Sequence, residues 1–269
     1  MAGPASKSNR VSNDFAKSTN PDQEKGEAIL REFRGLGISG DYFLEFELRV
    51  LPRRGKETVF TGQLWGSRNE MGQISRVMLQ DGKGGGQQML IQNGSVPAVW
   101  VLKTGQSLPQ MASRESLFKP LLPETEFTLF DLQMPYFYWD NFTFEGVSKI
   151  LGRAAHTFLL HPPEGDGDIY QSIGAVRVQL DTQYHAMVQS ALIDREGTTY
   201  KTLSLRDLKK VDDKWMIKSI DLRNEITRDK TRFQVLRAAV NLDLSSRIFE
   251  PESLTEIIGQ PSNTISLGR

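Results

Sequence analysis

From residue 41 the chain alternates with a period of two. In DYFLEFELRVL, Tyr42, Leu44, Phe46, Leu48 and Val50 fall on one side, and Glu45, Glu47 and Arg49 on the other. That is the pattern of a strand with one buried and one wetted face. TVFTGQLW, QISRVML, QQMLIQ and AVWVL follow, separated by PRRGKE, GSRNEMG, DGKGGG and NGSVP. Those separators are rich in Gly, Pro and Asn, which supply turn dihedrals. Short turns join antiparallel neighbours, so this half reads as a meander. A second series runs through SKILGRAAHTFLLHP, AVRVQLDT, AMVQSALID, YKTLSLRDLKKV, WMIKSIDLRNE and TRFQVLRAAV. Together they predict about eleven strands in a mostly β chain.

Helical spacing is rare. PDQEKGEAILREFRGLG places Pro21 and Asp22 at a start, Ala28, Ile29 and Phe33 on one side, and Gly35 and Gly37 at an end. Its apolar stripe is narrow, so this helix is expected to lie on a larger body. Strands do not alternate with long helices, which excludes a βαβ fold. One strongly curved antiparallel sheet or barrel fits the series, since five strands alone leave one face uncovered. The expected layout is a disordered tail over 1–21, one domain over 22–257, and a polar tail over 258–269.

The rhythm breaks at 103–126, and an aromatic stretch follows. Phe127, Phe130, Tyr136, Phe137, Tyr138, Trp139, Phe142 and Phe144 are eight of the chain's 24 aromatic residues (14 Phe, 6 Tyr, 4 Trp). If PYFYWDNF is helical, Tyr138 and Phe142 share a side at i, i+4, with Trp139 beside them. The stretch has two readings. It either plugs the chain's own core or lines and covers a cavity for a lipid chain. Period two assigns the facing wall to Tyr42, Leu44, Phe46 and Leu48, with Met89, Ile91 and Trp100 from the same meander. Met71, Met78, Met89, Met111 and Met134 are adaptable apolar groups near the expected mouth.

Composition removes several chemistries. Lys plus Arg and Asp plus Glu are both 33, and balanced charge argues against a broad nucleic-acid surface. The chain has no cysteine, so disulfides, thiolate metal sites and cysteine nucleophiles are excluded. His156, His161 and His185 match no zinc-ligand spacing. DGKGGGQQ joins two strands with no helix after it, so a hairpin fits it better than a phosphate loop. There is no Gly-x-Ser-x-Gly elbow. RDLKK at 206–210 reads as a solvated strand end. No apolar run approaches the roughly 18 to 20 residues of a membrane span.

The order of elements carries a resemblance. A helix precedes alternating strands. Phe130-Asp131-Leu132 then leads into the aromatic segment. FLLHPP, AVRVQLD, ALIDREG, KKVDDKWMIKSIDLRNE and DKTRFQV follow, and the end is SSRIFEPESL. This series resembles the LolA-like superfamily of bacterial outer-membrane lipoprotein-sorting proteins over roughly 24–256. The resemblance implies a single unclosed antiparallel β-barrel with short α-helices as a lid over its concave face. It implies a non-catalytic protein without cofactor or metal, holding lipoprotein acyl chains or other lipids between Tyr42, Leu44, Phe46, Leu48, Met89, Ile91, Trp100, Phe130, Tyr138, Trp139 and Phe142. It further implies membrane-anchored donor and acceptor partners, no nucleic acid, and a periplasmic location reached through a removed signal. The family's arginine that pairs with the lid has only Arg49 and Arg76 as positional candidates. An envelope sensor or partner-binding protein on the same fold, or a hydrolase in a β-barrel, are the alternatives.

Overall fold

In the computed structural model, which describes residues 21–166, 169–184 and 186–268, the alternation at residue 41 becomes β1 (Asp41–Leu51). It is followed by β2 (Thr58–Asn69), β3 (Gly72–Gln80), β4 (Gly86–Gln92), β5 (Ala98–Lys103) and the short β6 (Gln110–Met111). The second series comprises β7 (Phe142–Ile150), β8 (Arg153–Leu160), β9 (Ala175–Asp181), β10 (Met187–Ile193), β11 (Thr199–Val211), β12 (Lys214–Asn224) and β13 (Lys230–Leu242). A two-residue β14 (Ile265–Ser266) follows near the end. The helices are α1 (Gln23–Gly35) and α2 (Leu129–Gln133), with short 3-10 turns between elements.

The two meanders form one sheet because β13 pairs antiparallel with β1. The order is β6-β5-β4-β3-β2-β1-β13-β12-β11-β10-β9-β8-β7, with β14 beside β13. The outer strands of that path, β6 and β7, do not pair with each other, so the sheet is an unclosed barrel. At the central seam Phe46 and Leu48 lie opposite Val235 and Phe233, and the Phe46 and Phe233 rings are 4.7 Å apart. The Phe46 ring lies over Gly62 and the Tyr42 ring over Gly66, where any side chain would collide with them. Glycine there lets aromatic rings from β1 fold onto β2.

Both faces are covered. Residues 114–139 lie over the inner face, where Phe46, Leu48, Val77, Met89 and Ile91 pack against Phe127 and Leu129. On the outer face the C-terminal segment covers β2 to β5: Leu254 packs on Ile74, Leu90 and Leu102, and Ile248 and Ile258 pack near Phe43 and Trp65. Each large apolar side chain fully buried this way contributes about 1.5–3 kcal/mol. Arg76, 1% exposed, fastens that segment. Its guanidinium donates to Ser253 Oγ at 3.0 Å, Gln88 Oε1 at 2.7 Å and the Glu256 carbonyl at 2.7 Å.

Several expectations need correction. SKILGRAAHTFLLHP is not one strand but a hairpin of β7 and β8, turning at Leu151 and Gly152, whose φ angles are 48° and 84°. With β6 and β14 this raises the strand number from about eleven to 14. PYFYWDNF is not a helix. Pro135–Tyr138 is a 3-10 turn, Trp139 is extended, and Phe142 opens β7. Residues 258–268 are not a free polar tail, since β14 pairs with β13 and Leu267 is buried with Leu44 and Val235. The tail expected over 1–21 lies, apart from Pro21, outside the described residues, as does His185.

Candidate functional site

The insert between the meanders is built from a few local signals. Thr128 caps α2: its Oγ1 accepts from Asp131 N at 3.4 Å, and Asp131 Oδ2 accepts from Thr128 N at 2.8 Å. That reciprocal box ties off the free N–H groups of a five-residue helix. Met134 then turns left-handed at φ 46° and ends it. Pro135, with its ring-fixed φ, opens the 3-10 turn. The result is a compact knot of rings facing inward. Phe130 lies 5.0 Å from Phe118 and 5.8 Å from Tyr136, and Trp139 lies 5.1 Å from Tyr170. Trp139 is only 4% exposed.

Polar contacts tie this lid to the wall at several points: Gln87 donates to the Leu121 carbonyl at 2.7 Å, Asn93 to the Leu132 carbonyl at 3.5 Å, and Gln133 to the Gln92 carbonyl at 3.5 Å. Lys201 on β11 pairs with Asp131 at 2.6 Å. The Tyr136 hydroxyl donates to Ser190 Oγ at 3.3 Å, and burial pushes that phenol's pKa well above its usual value. Asn224 donates to Glu126 Oε2 at 3.3 Å, and Glu126 N donates to Thr231 Oγ1 at 2.9 Å. Burial raises the Glu126 carboxyl, with the Lys201 charge and the Asn224 hydrogen bond opposing it. From α1, Arg34 donates to the Phe137 carbonyl at 2.5 Å and lies 5.7 Å from the centre of the Tyr138 ring. The C-terminal end of α1 is in turn held by Arg68 and Gln73 on β2 and β3, which donate to the Leu36 carbonyl.

The wall residues expected from periodicity divide by cluster. Phe46, Leu48, Met89 and Ile91 come together under Phe127 and Leu129. Phe130, Tyr138, Trp139 and Phe142 gather with Phe158 and Val178 on β8 and β9. Tyr42 and Leu44 share the inner face of β1 but pack further along, with Val211 and Met216. Trp100 is misplaced by one position: it packs on the outer face against Leu90 and Leu254, while Val99 and Val101 point inward. Of the methionines, Met89 is core and Met134 touches both inner clusters, but Met78 packs near Trp65 on the outer face, and Met71 and Met111 are exposed.

The two positional arginines do not reach the lid. Arg49 pairs with Glu57 at 2.6 Å, and Arg76 holds the C-terminal segment on the other face. Among the described residues, a side-chain cation that pairs with a lid carboxylate is Lys201, which sequence reasoning missed. Asp131 was visible within Thr128-x-x-Asp131, a capping signature. Nothing in YKTLSL distinguishes Lys201 from a solvated strand lysine.

The remaining candidate chemistries stay apart from this site. DGKGGGQQ is the β3–β4 hairpin, where Asp81 Oδ1 accepts from Lys83 N and Gly85 N at 2.8 Å. A hollow of about 460 Å³ adjoins that hairpin. A second, of about 320 Å³, lies over β10 to β13 and is lined by Gln189, Ser204, Arg206, Asp221 and Arg223. Neither is lined by lid residues. His156 sits in β8 with Phe144 5.9 Å away, and His161 follows β8. Among the described residues no three His, Asp or Glu side chains converge as metal ligands, and no helix is long and apolar enough to cross a membrane.

No curated protein matches the sequence. A family model described as "-like: Uncharacterized protein" matches residues 119–256, from the lid through the C-terminal strap. Among solved structures, an outer membrane lipoprotein-sorting protein domain from Vibrio parahaemolyticus is 18% identical at a TM-score of 0.75, over 87% of this chain and 100% of that one. A DUF1329 family protein from Desulfovibrio piger is 14% identical at 0.73, over 86% and 98%. A LolA superfamily protein from Nitrosomonas europaea is 15% identical at 0.63, over 83% and 96%. At such identities these three structures bear on the fold. The chain belongs to the family of the model matched over 119–256, and its fold is the LolA-like unclosed barrel.

Proposed function

We propose that the chain binds the acyl chains of lipoproteins or other lipids between its inner wall and its lid, without catalysis, in the bacterial envelope. The observation that carries this reading is the division of the interior. The wall strands supply aliphatic groups such as Met89, Ile91 and Val178, while many of the large rings sit on a separate insert. That insert is tied to the wall through individual side chains such as Lys201, Tyr136, Gln87 and Gln133. An acyl chain entering between them takes the place of the rings, with about 0.8 kcal/mol available for each buried CH₂. Met134, touching both inner clusters, can repack as the rings leave. The likeness to a lipoprotein-sorting domain supports the choice of cargo. A periplasmic location and membrane-anchored donor and acceptor proteins belong to the same proposal.

Saturable binding of a fluorescent fatty acid near one per chain, with no turnover of an ester panel, is the expected result. A second reading has its own support. The lid rings and the wall groups are buried, with Phe130 at 1% and Met89 at 0% exposed, which suits a sensor that binds a protein partner with its interior closed. Absence of saturable fatty-acid binding favours that reading, and ester turnover favours a hydrolase.

A further inference from the structure

Where β11 and β12 face the lid, the wall is apolar along its length and polar at one end. Leu203 and Leu205 on β11, and Ile220 and Leu222 on β12, join the inner core. Lys201 stands in line with Leu203 and Leu205, and its partner across the ladder is Asn224. The register is unbroken from Lys201–Asn224 to Leu205–Ile220, so these six side chains share the inner face. From Lys201 to Leu205 the strand runs about 13 Å, at about 3.3 Å per residue.

Both polar groups of this pair donate to lid carboxylates. Lys201 Nζ meets Asp131 Oδ2 at 2.6 Å, and Asn224 Nδ2 meets Glu126 Oε2 at 3.3 Å. Burial raises the Glu126 carboxyl, and the nearby Lys201 charge opposes that rise. The wall thus supplies two donors side by side, and the lid supplies an oxyanion to each. A buried ion pair is a weak source of stability, since apolar groups of similar size close such an interior at least as well. Its consequence lies in the open state. As lipid replaces the lid rings, Asp131 and Glu126 leave with the lid, while Lys201 and Asn224 stay on the wall. A neutral lipid then leaves a covered ammonium without a partner, which is strongly unfavourable. A lipid with an oxyanion at its head restores both hydrogen bonds, and its chain lies along Leu203, Leu205, Ile220 and Leu222.

We propose that Lys201 and Asn224 form an oxyanion subsite, and that the interior prefers amphiphiles with a carboxylate or phosphate head to neutral lipids. The head of the cargo takes the place of the Asp131 and Glu126 carboxylates, so loading and lid release are one exchange of anions on the same two donors. Hydrogen bonds to charged groups are the stronger ones, which makes the head a source of selectivity and the chain a source of affinity. The inference rests on the reading that lipid enters between wall and lid.

The test is calorimetric titration of the full chain at neutral pH with decanoic acid, decyl phosphate and 1-decanol, which share one chain and differ in the head. Wild type should bind the acid or the phosphate at least about tenfold more tightly than the alcohol. Lys201→Met should reduce that preference to about threefold or less, and Lys201→Arg should keep it. Lys201→Met combined with Asp131→Asn repeats the test without an unpaired lid carboxylate, should the single variant fold poorly by circular dichroism. Tighter binding of decanoic acid than of decyl phosphate identifies a free fatty acid as the cargo, and the reverse order identifies a phosphate head. Equal wild-type affinity for the acid, the phosphate and the alcohol overturns the subsite and leaves lipid binding standing, as does an undiminished preference in the Lys201→Met variants. Absence of binding by all three ligands contradicts lipid binding itself, and the subsite with it.

Discussion

Lys201 reaches from β11 to the lid and donates to Asp131 Oδ2 at 2.6 Å. Asp131 has a second task in the same position, accepting from Thr128 N and Thr128 Oγ1. One carboxylate therefore both shapes α2 and ties it to the wall. Loosening the lid from the wall and unwinding the first turn of its helix are separate events that share this atom.

Replacing Lys201 by Met should separate them. The two side chains are 11% and 6% exposed, and removing one partner of a buried pair costs about 3–5 kcal/mol. Thr128 still serves the carboxylate, so the expected loss is at the lower end, about 3 kcal/mol in urea melts. Adding Asp131→Asn should restore part of it. A loss below about 1 kcal/mol, the ordinary value for exposed pairs, would mean that the pair does not hold the lid.

Trp139 is packed among Tyr136, Phe130 and Tyr170. Trp139→Ala should therefore cost about 3–5 kcal/mol, as core truncations of large rings do. A cost near 1 kcal/mol, the centre of ordinary substitutions, would instead describe a ring lining an open site.

Glu126 gives the lid a pH dependence. Burial raises its carboxyl pKa in the folded chain above the ordinary glutamate value. Ionisation is then easier in the unfolded chain, so stability is greatest while Glu126 is protonated and falls as pH rises through its folded value. Glu126→Gln should remove that fall. The variant should gain stability over wild type at neutral pH and show no gain at about pH 3, below the usual glutamate range. Equal gains at both pH values in urea melts would show that ionisation plays no part.

The inner face of β1 was legible because charged residues mark the other one. Glu45 and Glu47 alternate with Leu44, Phe46 and Leu48, but that other face is not wetted throughout as expected, since Phe43 and Glu47 on it are buried. AVWVLK gave no such signal. The C-terminal strap buries its outer face as well, so successive apolar residues face opposite ways, and Trp100 was assigned to the wrong one. The hairpin at Leu151-Gly152 was hidden by a non-glycine residue at positive φ. The lid was recognised by its rings, but not its 3-10 and extended path, since Pro135 suits the first turn of either kind of helix. Lys201, Ser190 and Thr231 are distant in sequence from the lid groups they meet, and no local pattern marks them.

Hydrogen exchange across residues 127–144, with and without a saturating fatty acid, reads directly whether the lid leaves the wall when lipid binds. In the closed structure the Met134 amide donates to the Phe130 carbonyl and the Trp139 amide to the Tyr136 carbonyl. Both are protected only while the lid stays folded on the wall. Bound fatty acid is expected to speed their exchange at least about tenfold, a shift of about 1.4 kcal/mol in the opening equilibrium, while amides of β3 and β4 stay protected. Fatty acid that does not bind, or that binds and leaves the lid amides unchanged, would contradict it.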